Sequence, residues 1–156
     1  MGEAPFSDIA DQDTACFHAT CVAVRGAGIL IIGASGAGKS ALALQMMALG
    51  AQLVADDRVD LRSQEDHVMA AAVPQIQGLI EARGIGLLRA ETAGPVPLAY
   101  IVDLDHTDPA RLPEPEEVRL LRQSVPLLRV AGVPNLAAGL IQLVKMGRVA
   151  PEWPNT

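Results

Sequence analysis

Eight residues constrain this chain more than any others. Gly33-Ala34-Ser35-Gly36-Ala37-Gly38-Lys39-Ser40 meets every position of the phosphate-binding loop pattern G-x-x-x-x-G-K-[ST]. The pattern is informative only between a strand and a helix, and both flanks qualify. Upstream, Gly28-Ile29-Leu30-Ile31-Ile32 is a short apolar, β-branched run that reads as a buried strand. Downstream, Ser40 to Leu49 carries an apolar helical pattern closed by Gly50.

Glycines let successive backbone N–H groups turn inward, and the helix that follows adds the partial positive charge of its N-terminus. Such a loop cradles polyphosphate. Gly33, Ala34, Ser35, Gly36, Ala37, Gly38, Lys39 and Ser40 are therefore the expected nucleotide-binding set. In that set Lys39 reaches the β- and γ-phosphates and the Ser40 hydroxyl binds Mg²⁺. Only two lysines occur, Lys39 and Lys145, so Lys39 is not drawn from a lysine-rich background.

At 156 residues the chain fits one domain. Half its residues are hydrophobic but only 3% are aromatic, so Ala, Val, Leu and Ile must fill the interior, as suits an α/β protein with a buried sheet. A net charge of −6 with no basic run argues against nucleic acid or an anionic membrane as partner. No apolar run approaches the roughly 18 residues of a membrane span, and Met1 to Asp13 is too acidic for a signal peptide. A cytoplasmic protein is expected. Cys16 and Cys21 flank His18 without a four-ligand zinc set, and read as buried reduced thiols.

Residues 1–14 read as a flexible arm, 15–150 as the catalytic domain and 151–156 as a tail in which Pro151 and Pro154 bracket Trp153. His18 to Arg25 predicts a strand joined by the turn Arg25-Gly26-Ala27-Gly28 to the strand entering the loop. Gln52 to Ala55 predicts a strand ending in Asp56-Asp57. Val59 to Arg62 and His67 to Val73 predict a second hairpin. Pro74 to Arg83 predicts a short helix, Pro97 to Asp105 a strand, and Glu116 to Gln123 a surface helix. Val125 to Val130 predicts a strand, and Asn135 to Met146 a final helix capped by Asn135 and stopped by Gly147. His67 and His106 read as surface residues.

Two apolar strands end in acids, at Asp56-Asp57 and at Asp103 and Asp105. If the sheet is parallel around the loop, both ends lie at the edge where ligands bind, and either supplies a carboxylate for Mg²⁺. Spacing does not choose between them.

His18, the loop at 33–40, Leu53-Val54-Ala55-Asp56-Asp57 and Glu81-Ala82-Arg83-Gly84-Ile85-Gly86, in that order, resemble the bacterial HPr kinase/phosphorylase family. That family phosphorylates a serine of HPr, a phosphocarrier of the sugar phosphotransferase system, with ATP and Mg²⁺. It also removes the phosphate with inorganic phosphate. The resemblance implies an α/β P-loop nucleotide-binding domain like that of phosphoenolpyruvate carboxykinase, a mixed sheet with flanking helices, and a homo-oligomer, hexameric in the family. It implies ATP and Mg²⁺ as cofactors and an HPr-like phosphocarrier as partner. By position it assigns Asp57 as proton acceptor with Asp56 beside it, Glu81 as a second Mg²⁺ ligand, His18 as an active-site histidine and Arg111 as a catalytic arginine. Ser40, Asp56 and Glu81 thus form the expected metal set.

Two departures qualify what the resemblance implies. The matching stretch starts near the beginning of the chain, so the family's additional N-terminal domain is expected to be absent. Where the family has an arginine-bearing P-V-R-P-G-R-N-L-A segment linked to dephosphorylation, this chain reads Arg129 to Ala137 with Asn135-Leu136-Ala137 kept and neither arginine. Arginine binds phosphate bidentately, so reduced phosphorolysis is expected. The alternatives are a small-molecule kinase, which normally needs a lid of clustered arginines not seen here, and an ATP-sensing protein without transfer activity.

Overall fold

The computed structural model describes residues 5–153. The chain runs β1 (Thr14–Phe17), β2 (Thr20–Val24), β3 (Ala27–Ile32), α1 (Lys39–Ala48), β4 (Gln52–Ala55), β5 (Val59–Gln64), β6 (His67–Ala72), β7 (Leu79–Ala82), β8 (Gly86–Arg89), β9 (Val96–Asp103), β10 (Glu116–Leu120), β11 (Gln123–Arg129) and α2 (Leu136–Met146). Among the described residues no helix is long and apolar enough to cross a membrane.

Both hairpins expected near the loop form. Between β2 and β3, Arg25 and Gly26 take φ of 52° and 79°, the left-handed pair that matches a tight turn to the strands' twist. β4 is antiparallel to β2 on its other side, so β3 and β4 run the same way. β9 changes partners along its length. Val96 and Pro97 face β6, whereas Leu98 to Asp103 run parallel to β3 and Ile101 to Asp103 parallel to β11. The carboxyl ends of β3, β4, β9 and β11 therefore share one edge. The β3–β9 approach needs Gly28, where a Cβ would sit 3.0 Å from both the Pro97 carbonyl oxygen and a Val96 methyl.

Alternation along β3 builds two cores. Ile29 and Ile31 pack with Leu42 and Met46 of α1 and with Leu140 and Ile141 of α2, while Leu30 and Ile32 face Val54, Leu61, Ile101 and Leu120. Both helices pack into the first of these cores and β5, β6 and β10 into the second, while β11, beside β9 in the sheet, contributes to both.

Two expected helices are strands. Residues 116–123 form β10 and the turn into β11, because Val118 and Leu120 are buried while Glu117 and Arg119 are exposed, a period of two. Leu121 and Arg122, at φ 47° and 67°, close the turn. Residues 74–83 hold one 3-10 turn (Pro74–Ile76), broken by Gly78 at φ 77°, and then β7, where Ile80 and Ala82 are buried and Glu81 is not. α2 starts at the expected place, but Asn135 takes φ 56° and its side chain makes no capping bond.

Cys21 is buried in β2, and burial pushes its thiol up to about 12. Cys16 is exposed on β1, which pairs only with β5, so the expectation of two buried thiols holds for Cys21 alone.

Residues 5–13, which the sequence presents as loose, are tied to the sheet. Phe6 is 4% exposed and its ring centroid lies 4.8 Å from that of Phe17. The Arg122 amide donates to the Ala10 carbonyl at 2.6 Å, and Arg119 pairs with Asp11 at 2.9 Å. Such exposed ion pairs contribute little, so the ring should carry the attachment. Phe6→Ala is expected to lower unfolding free energy by about 3 kcal/mol in urea titration. A loss below about 0.5 kcal/mol would mean that the segment adds nothing to stability.

Candidate active site

The chain leaves β3, crosses through α1 to β4 on one side, and later returns to β9 and β11 on the other. The glycine loop thus sits where strand order reverses, the place at which open α/β sheets bind ligands. Gly36 and Gly38 take φ of 86° and 103°, which residues with a Cβ rarely adopt. Lys39 is buried, and its Nζ donates to the carbonyls of Gly33 and Ala34 at 2.8 and 3.0 Å, stitching the loop shut from inside.

A cavity of about 790 Å³ opens between this loop, the end of β4 and the β7–β8 hairpin. Ser35, Gly36, Gly38, Lys39 and Ser40 line it from the loop side, and His18, Asp56, Asp57 and Glu81 from the other. Asp56 is 8% exposed and fully engaged. Its Oδ1 accepts from the Ser40 hydroxyl at 2.7 Å and the Thr20 hydroxyl at 2.8 Å, and its Oδ2 from the Glu81 amide at 3.2 Å. Asp57 differs in every respect. It lies past the end of β4 at φ 71°, its side chain is 66% exposed, and its Oδ1 lies 3.1 Å from Nε2 of a similarly exposed His18. One carboxylate is therefore held against the loop's serine, and its neighbour stands exposed and paired with a histidine.

The acids after β9 are otherwise occupied. Asp103 is buried, meets Nδ1 of His106 at 2.8 Å and lies 3.6 Å from Arg129. Both oxygens of Asp105 accept from the Ala34 amide at 3.0 Å, bracing the base of the loop. A Cβ at Gly33 would meet the Ala37 Cβ at 3.1 Å, so glycine lets the loop fold back closely on itself here. Arg111 is exposed on the loop after β9 and does not line the cavity; Arg83 does.

Sequence reasoning missed Thr20 and offered Asp105 only as a candidate Mg²⁺ carboxylate, because the contacts of these two residues span 36 and 71 residues. Arg83 was visible inside the Glu81–Gly86 motif but had no role attached.

Among the described residues no three His, Cys, Asp or Glu side chains converge on a metal position. Mg²⁺ does not require such a cage, because it takes one or two carboxylates plus substrate phosphates. A hydroxyl and a buried carboxylate 2.7 Å apart, Ser40 and Asp56, are hard oxygen donors of the right kind.

A strand, glycine loop and helix set at the carboxyl edge of a mixed sheet, with acids facing the loop, define a mixed α/β domain built around a phosphate-loop motif. The chain belongs to the HPr serine kinase C-terminal domain family, whose model matches residues 9–93. HPr kinase/phosphorylase of Geobacillus kaustophilus is 36% identical over 89% of this chain and 51% of its own length. That of Exiguobacterium sibiricum is 33% identical over 85% of this chain and 47% of its own. The chain spans about half the length of the curated relatives it matches. The fold is also that of the Hpr(Ser) kinase/phosphatase from Coxiella burnetii, with a TM-score of 0.71 at 24% identity over 84% of this chain and 88% of that one.

Proposed function

We propose that this chain transfers the γ-phosphoryl group of ATP to a serine hydroxyl of an HPr-like phosphocarrier. The observation that carries this reading is an exposed carboxylate, Asp57, paired only with His18 among the described residues, in the same cavity as Lys39 and Ser40 of the loop. A serine hydroxyl is a weak nucleophile, and in a loose phosphoryl-transfer transition state the protein mainly positions groups and offsets charge. Asp57 orients the incoming hydroxyl and takes its proton as the new P–O bond forms and the bond to ADP breaks. His18 holds that carboxylate in place through their 3.1 Å contact. The backbone amides of the loop and Lys39 neutralise the phosphate oxygens.

Ser40 and Asp56 would hold Mg²⁺, with Glu81 on the cavity wall as the further ligand. Bound there, the ion would add positive charge at the phosphates. Arg83 is the guanidinium on the cavity wall, and Arg111 has no part in this reading.

Dephosphorylation is reduced in the same reading, because Ala131 and Pro134 stand where the family segment has its arginines. Self-association into a homo-oligomer is supported by the exposed Met146 at the end of α2 and Val149 and Trp153 beyond it.

The test is incubation with γ-labelled ATP, Mg²⁺ and the HPr-like protein of the same genome. Label on a carrier serine is the expected result. Label only on a metabolite would indicate a small-molecule kinase, and no label despite measurable ATP binding would indicate a sensor.

A further inference from the structure

A second depression flanks the loop on the side away from Asp57. It lies between the start of α1 and the segment leading from β11 into α2, has a volume of about 510 Å³ and is floored by Leu104 after β9. Gly38 and Ala41 line both this groove and the acidic cavity, so the two spaces meet across the first turn of α1.

We propose that this groove seats the adenine base of the nucleotide whose phosphates the loop holds. The proposal rests on the ATP-binding reading above. Direction follows from the placement of the acids. Transfer requires the terminal phosphoryl group to lie beside Asp57, on the β2–β4 flank. A nucleotide threaded along the loop then carries its nucleoside end to the β9–β11 flank, where the groove is.

The chemistry of the walls agrees. Leu42, Leu49, Leu104, Val133 and Leu136 present apolar surface, Gln45 and Asn135 are the polar side chains, and among the described residues no charged side chain lines the groove. Its size falls among small-molecule sites, and a neutral flat ring suits such walls. An anionic occupant would find no cation there.

Of the two amides on the groove, Gln45 on α1 and Asn135, the second supplies the polar contact assigned to the base. Its backbone is left-handed, its side chain makes no capping bond, and it is exposed, so its amide is available at the mouth of the groove. An amide offers an acceptor and a donor side by side, the complement of the N6–H and N7 of adenine. The groove has no carboxylate to accept the two ring-edge donors of guanine.

The experiment compares calorimetric titrations of ATP and of inorganic tripolyphosphate, both with Mg²⁺, into the intact chain and two variants. The wild-type chain is expected to bind ATP more tightly than tripolyphosphate. Val133→Glu places a charge against the base from an exposed loop position, and should weaken ATP about tenfold with tripolyphosphate within about twofold. Asn135→Gly keeps the left-handed backbone and should weaken ATP about threefold to tenfold. Equal wild-type affinities for the two ligands would overturn the proposal. So would a Val133→Glu variant that weakens neither ligand, or both alike. Loss of self-association in Val133→Glu with ATP affinity unchanged would assign the groove to a second copy of the chain instead. Wild-type chain that binds neither ligand would remove the ATP-binding reading itself, an outcome distinct from failure of the groove.

Discussion

Asp57→Asn should lower phosphoryl transfer by at least about a hundredfold while leaving ATP affinity within about threefold. The substitution preserves shape and removes the negative charge, and with it the ability to accept a proton. Nothing that holds the nucleotide depends on this residue. Lys39 is fixed by the carbonyls of Gly33 and Ala34, Ala34 is braced by Asp105, and Ser40 is bonded to Asp56. Among the described residues Asp57 is hydrogen-bonded to His18 alone and is two-thirds exposed, so the fold should not register the change. Initial rates with labelled ATP and a carrier serine, set beside equilibrium ATP titration, check the prediction. An Asn variant that keeps more than a tenth of wild-type turnover would remove Asp57 from the role of proton acceptor. Parallel loss of ATP binding would show that the carboxylate supports the loop rather than the acceptor.

Much of this site was legible because its parts are local. A glycine loop must follow a strand and start a helix, and the β2–β3 turn and the end of α2 are punctuated by Gly26 and Gly147. Where two periods fit a short segment, the reading went astray. Glu116 to Gln123 has the charge of a surface helix, and only its pairing with β11, which buries Val118 and Leu120, selects a strand. Leu79 to Ala82 became a strand because β8 is there to pair with it. Long-range contacts were invisible in the same way. Asp56, Asp103 and Asp105 look alike at the ends of apolar strands, and the partners that distinguish them are Thr20 and Ser40 in one case, His106 and Arg129 in the second, and Ala34 in the third. Phe6 gave no local sign that it would fill a space beside Phe17.

Asp56→Asn is expected to act on a different step, and the contrast with Asp57→Asn separates the two carboxylates. Three donors converge on Asp56: the hydroxyls of Ser40 and Thr20 on one oxygen, and the Glu81 amide on the other. An amide has one oxygen and one NH₂ group. With its oxygen on the two hydroxyls its NH₂ faces the Glu81 amide donor, and with the group flipped both hydroxyls must turn round to accept and give up their charge-assisted bonds, at a cost of about 1–3 kcal/mol. Urea titration should therefore show lower stability, where Asp57→Asn shows none. The negative charge beside the Ser40 hydroxyl disappears as well, and with it the carboxylate proposed to hold Mg²⁺. Turnover should fall by at least about a hundredfold, as for Asp57→Asn, but by a different route. ATP affinity in the Asp56 variant should no longer respond to Mg²⁺, whereas in the Asp57 variant the response should match wild type. An Asp56→Asn chain whose ATP affinity still rises with Mg²⁺ would move the metal to another acid. Asp103 already faces His106 and Arg129, and Asp105 already closes on Ala34, so either would have to give up its present partners to take that place.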